Sequence, residues 1–365
     1  MTAAIVLVAL AGSLAYANGS NDISKGIATL VGSGVSSFRT AVVWGTLWTV
    51  LGGIAAAFVS QGLVATFSGR GFLERPVEGA AFLSSVAIGA AAWVLFASRT
   101  GLPVSTTHAI AGALAGAAIL AQGASALHWS TFGKRVALPL AFSPVVSIGL
   151  VFAVFPLLRR AVARVETYCV CLERGVTISN GALAMSSVSG AAIVETQENC
   201  AASPAVAARI SAVDALHWLS SALTSFARGL NDTPKIVALG IVASAAIGIS
   251  GVPFYLAVAA AMGAGSLYAG LRVTETLARK VTPMSPGEGF AANLVTTLLV
   301  GLASLAALPV STTHVSTGAI IGIGLHRGAD SVRWRTVREM LLAWLVTLPA
   351  AALLAGMAYA LLRQL

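Results

Sequence analysis

The stretch GLPVSTTHAIAGALAG, Gly101 to Gly116, returns as ALPVSTTHVSTGAIIG from Ala307 to Gly322. Each copy opens with the same phrase, Pro-Val-Ser-Thr-Thr-His, and continues as an apolar run spaced by glycines. Proline suits the first turn of a helix, where its missing N–H costs nothing, and serine or threonine suits the cap. The phrase therefore predicts a helix start. Because its surroundings are apolar, the start falls at membrane depth, where unpaired N–H donors and the positive end of the helix dipole favour an oxyanion. The competing reading has these hydroxyls bonding back to carbonyls one turn earlier. Two copies, each behind a proline, favour the anion site built from Ser105, Thr106, Thr107 and Ser311, Thr312, Thr313.

The composition fixes the setting. Of 365 residues, 57% are hydrophobic and 10% charged, against about a quarter charged in soluble domains. Roughly ten apolar stretches approach membrane-spanning length. They include Met1 to Ala17, Thr40 to Val59, Ala80 to Ala97, Val136 to Leu158, Pro253 to Ala269 and Met340 to Leu362. Long β-type alternation is absent, so the expectation is an all-α integral membrane protein, multi-pass, in a plasma membrane such as the bacterial inner membrane. The net charge of +9 does not point to nucleic acid, because the basic residues fall between apolar stretches. They mark the cytoplasmic side instead, at Arg159, Arg160 and Arg164, at Arg272, Arg279 and Lys280, and at Arg327, Arg333, Arg335 and Arg338. Ala15-Tyr16-Ala17 resembles a signal-peptide cleavage site, but no Lys or Arg precedes the apolar run and the residues after it recur deep in the chain. Three cysteines, Cys169, Cys171 and Cys200, are an odd number without metal-site spacing, which predicts free thiols.

The repeat extends beyond the opening phrase. NGSNDISKGIA from Asn18 matches RGLNDTPKIVA from Arg228, and PVEGAA from Pro76 matches PGEGFA from Pro286, both 210 positions on. The Pro103 and Pro309 phrases lie 206 apart. Three polar motifs in one order at nearly one spacing require duplication of an ancestral half. The expected division is a first transmembrane repeat over 1–160, a polar central linker over 161–211 and a second repeat over 212–365. An odd number of crossings per half inverts the second copy, the plan of many transporters with broken helices and re-entrant helical hairpins.

Asn21, Asp22 and Lys25 pair with Asn231, Asp232 and Lys235. An Asp and a Lys three residues apart share a helix face, and charges at membrane depth are functional by default. The alternative places both motifs at the water interface as caps. Gly19 and Gly229, two residues before each Asn, permit an unwound break, and Pro234 supports one in the second copy. The lysines offset an anion's charge and the amides donate to it. Asp22 and Asp232 hold a sodium ion or accept a hydrogen bond from a ligand that still carries a proton. Hydrogen phosphate carries that proton and sulfate does not. Glu78 and Glu288 precede the serine-threonine phrases and fit either coupling or the aqueous boundary. His108 and His314 fit either packing or proton carriage.

With these residues assembled, the chain resembles the inorganic phosphate transporter (PiT) family. The resemblance rests on Gly19-Ser20-Asn21-Asp22, Gly229-Leu230-Asn231-Asp232 and the phrases at Pro103 and Pro309. It implies a symporter taking up inorganic phosphate with sodium or protons, without a cofactor, as a homodimer. Lys25 departs from well-known phosphate members, which carry Asn there, and the added charge keeps sulfate as the alternative substrate. An intramembrane hydrolase using Ser, His and Asp is the rival from another class. No Gly-x-Ser-x-Gly elbow surrounds the repeated serines, and an enzyme needs one nucleophile where this chain duplicates every candidate.

Overall fold

Serine side chains set five of the helix starts. Ser37, Ser105, Ser211, Ser285 and Ser311 each accept a hydrogen bond from the backbone N–H three residues on, so the helices that follow begin at Phe38, Thr106, Ala212, Pro286 and Thr312. The computed structural model describes residues 1–70, 73–74, 79–173, 176–179, 182–185, 192–196, 198–199 and 206–364.

Before the central segment run α1 (Thr2–Asp22), α2 (Ser24–Gly32), α3 (Phe38–Val59), α4 (Ala80–Thr100), α5 (Thr106–Gln122) and α6 (Leu138–Val165). After it come α7 (Ala212–Ala246), α8 (Val252–Ala269), α9 (Leu271–Arg279), α10 (Pro286–Leu305), α11 (Thr312–Arg327) and α12 (Trp334–Leu362). Seven helical stretches among the described residues are long and apolar enough to cross a membrane: Thr2–Gly32, α3, α4, α6, α8, α10 and α12. Their outward side chains, such as Leu47 on α3, Val145 on α6 and Leu345 on α12, are apolar and exposed, as contact with lipid requires. This is an all-α integral membrane protein.

The packing is reciprocal. Helix α1 lies on α8 while α7 lies on α3, and α5 lies on α12 while α11 lies on α6. Lipid gives apolar helix faces no reason to associate, so close backbone approach carries the packing. At the first crossing Gly19 backs onto the Met262 carbonyl and Gly265 onto that of Tyr16; at the second Gly229 backs onto Thr49 and Gly52 onto Phe226.

That packing corrects one expectation. The helix does not unwind at the Asn-Asp motifs: α7 runs unbroken through Asn231, Asp232 and Pro234, and Ile23 between α1 and α2 keeps right-handed helical angles. Gly19 and Gly229 serve helix contact instead. The break lies between α4 and α5, where Gly101 at φ 77° ends the helix in the left-handed conformation and a non-helical Leu102–Val104 leads to the Ser105 cap. The same hairpin recurs between α10 and α11, but there the left-handed position holds Ala307, at φ 54°.

The central segment forms strands that composition did not predict. β1 (Tyr168–Glu173), β4 (Ala192–Thr196) and β5 (Val206–Ser211) make an antiparallel sheet in the order β4-β1-β5, and β2 (Val176–Ser179) pairs with β3 (Ala182–Met185). Cys169 and Cys171 point to one buried side of β1 with their sulfurs 3.3 Å apart, and no cysteine among the described residues is a free thiol, which corrects the expectation of free thiols. Cys200 lies outside the described residues.

Candidate functional site

Reciprocal packing brings the two Asn-Asp corners to the tips of both hairpins. At the first corner Asp22 Oδ1 pairs with Lys25 Nζ at 2.9 Å, while Oδ2 accepts from Asn18 Nδ2 at 2.8 Å and from Thr106 Oγ1 at 3.0 Å. Lys25 Nζ also donates to the Asn21 carbonyl and to Asn21 Oδ1, each at 2.8 Å. The Asn21 side chain clamps its own hairpin, donating to Ser98 Oγ and the Leu102 carbonyl and accepting from the Val104 N–H.

The second corner repeats this with a shift. Asp232 Oδ1 accepts from Asn231 Nδ2 at 2.9 Å and from Lys235 Nζ at 3.4 Å. Lys235 reaches across to the other half, donating to Thr107 Oγ1 at 2.7 Å, and donates within its own half to the Val310 carbonyl at 3.1 Å. Ser304 Oγ, the repeat partner of Ser98, donates to Asn231 Oδ1.

The hairpin tips meet by matching bonds. Thr107 Oγ1 donates to the Val310 carbonyl at 3.3 Å, and Thr313 Oγ1 to the Val104 carbonyl at 2.7 Å. Two helix N-termini, each a partial positive charge, are thereby directed at one buried region. Ser105 and Ser311 cap them by accepting the His108 and His314 N–H groups at 3.2 Å. Thr312 sits in the first turn of α11, buried like Thr106. The rings of His108 and His314 lie 4.5 Å apart, centroid to centroid. His314 Nδ1 contacts the Leu140 carbonyl at 2.8 Å, whereas His108 Nδ1 and His314 Nε2 make no hydrogen bond among the described residues.

Arg228 completes the cluster. Its guanidinium donates to Asn18 Oδ1 and Thr49 Oγ1, each at 3.1 Å, and its Nε lies 3.9 Å from Asp232 Oδ2 without a hydrogen bond. Asn18 also donates to Asp232 Oδ2 at 3.1 Å, so one amide links both aspartates. Three cations, Lys25, Arg228 and Lys235, stand against two carboxylates, all buried. Buried charges carry a desolvation cost of several kcal/mol each unless paired. The excess positive charge, the uncommitted Arg228 Nε and the two helix tips together suit a small anion.

Arg228 and Asn18 occupy equivalent positions of the two halves, and repetition does not flag them because they differ. Arg228 ends a stripe along α7: His217, Ser220, Ser221, Thr224 and Ser225 lie on the same side, all buried. The equivalent positions on α1 are Leu7, Leu10, Ala11, Leu14 and Ala15. Both ring nitrogens of His217, Ser225 Oγ and Asn293 Nδ2 make no hydrogen bond among the described residues.

Glu288 does not join the cluster. Glu288 forms a capping box with Ser285 and pairs with Arg327 at 2.6 Å, lining a cavity of about 670 Å³ with Arg159 and His326. Glu78 lies outside the described residues. No group of His, Cys, Asp and Glu that could hold a metal ion occurs among the described residues.

Membrane-spanning helices around a sealed cluster of charges and helix tips define a solute transporter and not an enzyme. The particular family follows from comparison: the sequence model of the phosphate transporter family matches residues 18–355, and the chain belongs to that family. It is 29% identical over 360 residues to a probable low-affinity inorganic phosphate transporter of Rhizobium meliloti, covering 97% of this chain and 94% of that one. It is 31% identical over 411 residues to the chloroplastic inorganic phosphate transporter 2-1 of Arabidopsis thaliana, covering 94% and 69%. Among solved structures, that of a sodium-dependent phosphate transporter aligns with a TM-score of 0.79 at 23% identity over 100% of both chains. The two chains share one fold.

Proposed function

We propose that this chain is a secondary symporter that accumulates inorganic phosphate across a bacterial inner membrane, coupled to sodium or protons. It works by alternating access around the site where Asn21, Asp22, Asn231 and Asp232 meet the tips carrying Thr106, Thr107, Thr312 and Thr313. Residues 1–160 and 212–365 act as inverted repeats joined by 161–211, in a homodimer. The observation that carries this reading is the pair of matching bonds, Thr107 to Val310 and Thr313 to Val104, which sets both helix N-termini beside three cations and two carboxylates. The cations and tips favour an oxyanion; the carboxylates favour one that retains a proton, which selects hydrogen phosphate over sulfate. The solved phosphate transporter that shares the fold is sodium-dependent, which supports sodium as the coupling ion.

The test is uptake of labelled phosphate and labelled sulfate into proteoliposomes under separately imposed sodium and proton gradients. Accumulation of phosphate above equilibrium under one of the gradients is expected. Accumulation of sulfate alone would transfer the assignment to sulfate, and flux that never exceeds equilibrium would make the protein a channel.

A further inference from the structure

Three oxygens surround the Lys25 ammonium. Its Nζ donates to the Asn21 carbonyl and to Asn21 Oδ1, each at 2.8 Å, and lies 2.9 Å from Asp22 Oδ1 as an ion pair without a hydrogen bond. A backbone carbonyl, an amide carbonyl and a carboxylate are the hard oxygen donors that hold small metal cations. They lie at the junction of α1 and α2, where the Asn21 carbonyl also accepts from Ser24 Oγ at 2.8 Å. The Lys25 side chain is fully buried, and its four-carbon stem fixes the charge in place.

The cage does not depend on the lysine for its shape. Asp22 is oriented through its other oxygen by Asn18 and Thr106, and the Asn21 side chain is held by its bonds to Ser98, Leu102 and Val104. The second half lacks such a closed cage, because Lys235 divides its bonds among Thr107 Oγ1, the Val310 carbonyl and, at 3.4 Å, Asp232 Oδ1. The charges facing the first cage from neighbouring elements are Arg228 and Asp232 on α7, which reach it through Asn18.

We infer that the Lys25 ammonium is a tethered cation filling a cation-binding position formed by Asn21 and Asp22, so that this position takes no mobile ion and Lys25 sets the ion requirement of the first half. This deepens the symport reading, since it assigns which corner has no coupling ion to bind. Removing the ammonium exposes a carboxylate, a carbonyl and an amide oxygen, and a sodium ion replaces it.

The experiment uses the purified full chain in detergent without phosphate, as wild type, Lys25→Met and Lys25→Asn. Bound radioactive sodium is counted at equilibrium, and melting temperature is followed in sodium chloride against choline chloride at equal ionic strength. Both variants are expected to bind about one more sodium ion per chain than wild type and to gain a saturable, sodium-specific rise in melting temperature. Adding Asp22→Asn to Lys25→Met should abolish the gain. A variant that folds only in sodium supports the inference equally. Sodium binding equal to wild type in both variants overturns it, as does unfolding of both in sodium and choline alike, because the cage would then need its lysine. Failure of the wild type to transport phosphate would remove the symport reading and leave this result intact.

Discussion

At the scale of single residues, Asp22 and Asp232 are the groups whose charge cannot be dispensed with. Each neutralises a buried lysine beside a buried arginine, and each is joined to the other through Asn18. Asp22→Asn or Asp232→Asn keeps the volume, removes the negative charge and leaves the cluster more cationic. Concentrative phosphate uptake is expected to fall about 100-fold, or ~2.7 kcal/mol in barrier, while gel filtration still shows folded protein. Uptake within a factor of two of wild type would place both carboxylates outside the transport cycle. The Asn, Asp and Lys positions were legible in the sequence because duplication prints them twice. Arg228 and Asn18 were not, since a reading that looks for equality passes over the place where the two copies differ.

At the scale of elements, the helix starts were legible because proline and serine at a cap have local causes. The position of the break was not. A glycine before each Asn reads equally as a hinge or as a place where two backbones touch, and only the partner helix decides. Met262 and Thr49 make it the second. The true break rests on a left-handed residue, which the first half supplies with Gly101 and the second with Ala307 at φ 54°. A left-handed conformation costs a non-glycine residue about 1–2 kcal/mol. Ala307→Gly is therefore expected to stabilise the chain by about 1 kcal/mol, less a part lost to unfolded-chain entropy. A raised melting temperature in detergent checks this, with Gly101→Ala lowering it. The opposite order would show that Ala307 gains more from packing near Gly62 than it loses in the backbone.

At the scale of the whole molecule, symmetry explains where the site is, and departure from symmetry bears on how it is reached. Two halves with one order of helices cross reciprocally, so their polar motifs converge. That much follows from duplication, read in the sequence and seen in the bonds of Thr107 and Thr313. The approach to the site is unequal. On α7 the stripe from His217 to Arg228 is polar and buried, whereas α1 offers leucine and alanine at the equivalent positions. A polar stripe at membrane depth is costly to keep unless an ion uses it. Thr224 holds its centre, its one hydroxyl proton within reach of the Ser220 and Asn293 carbonyls at 2.9 and 3.1 Å and its oxygen 2.9 Å from Thr297 Oγ1. Thr224→Val deletes the hydroxyl at nearly constant shape, so phosphate uptake is expected to slow by about tenfold, ~1.4 kcal/mol in barrier. Leu14→Thr, the reverse change at the equivalent position of α1, is expected to leave it within about twofold, because no polar route exists there for it to extend. Initial rates in proteoliposomes of matched protein content separate the two. Equal losses would mean that both helices contribute packing alone and that ions reach the site by another path.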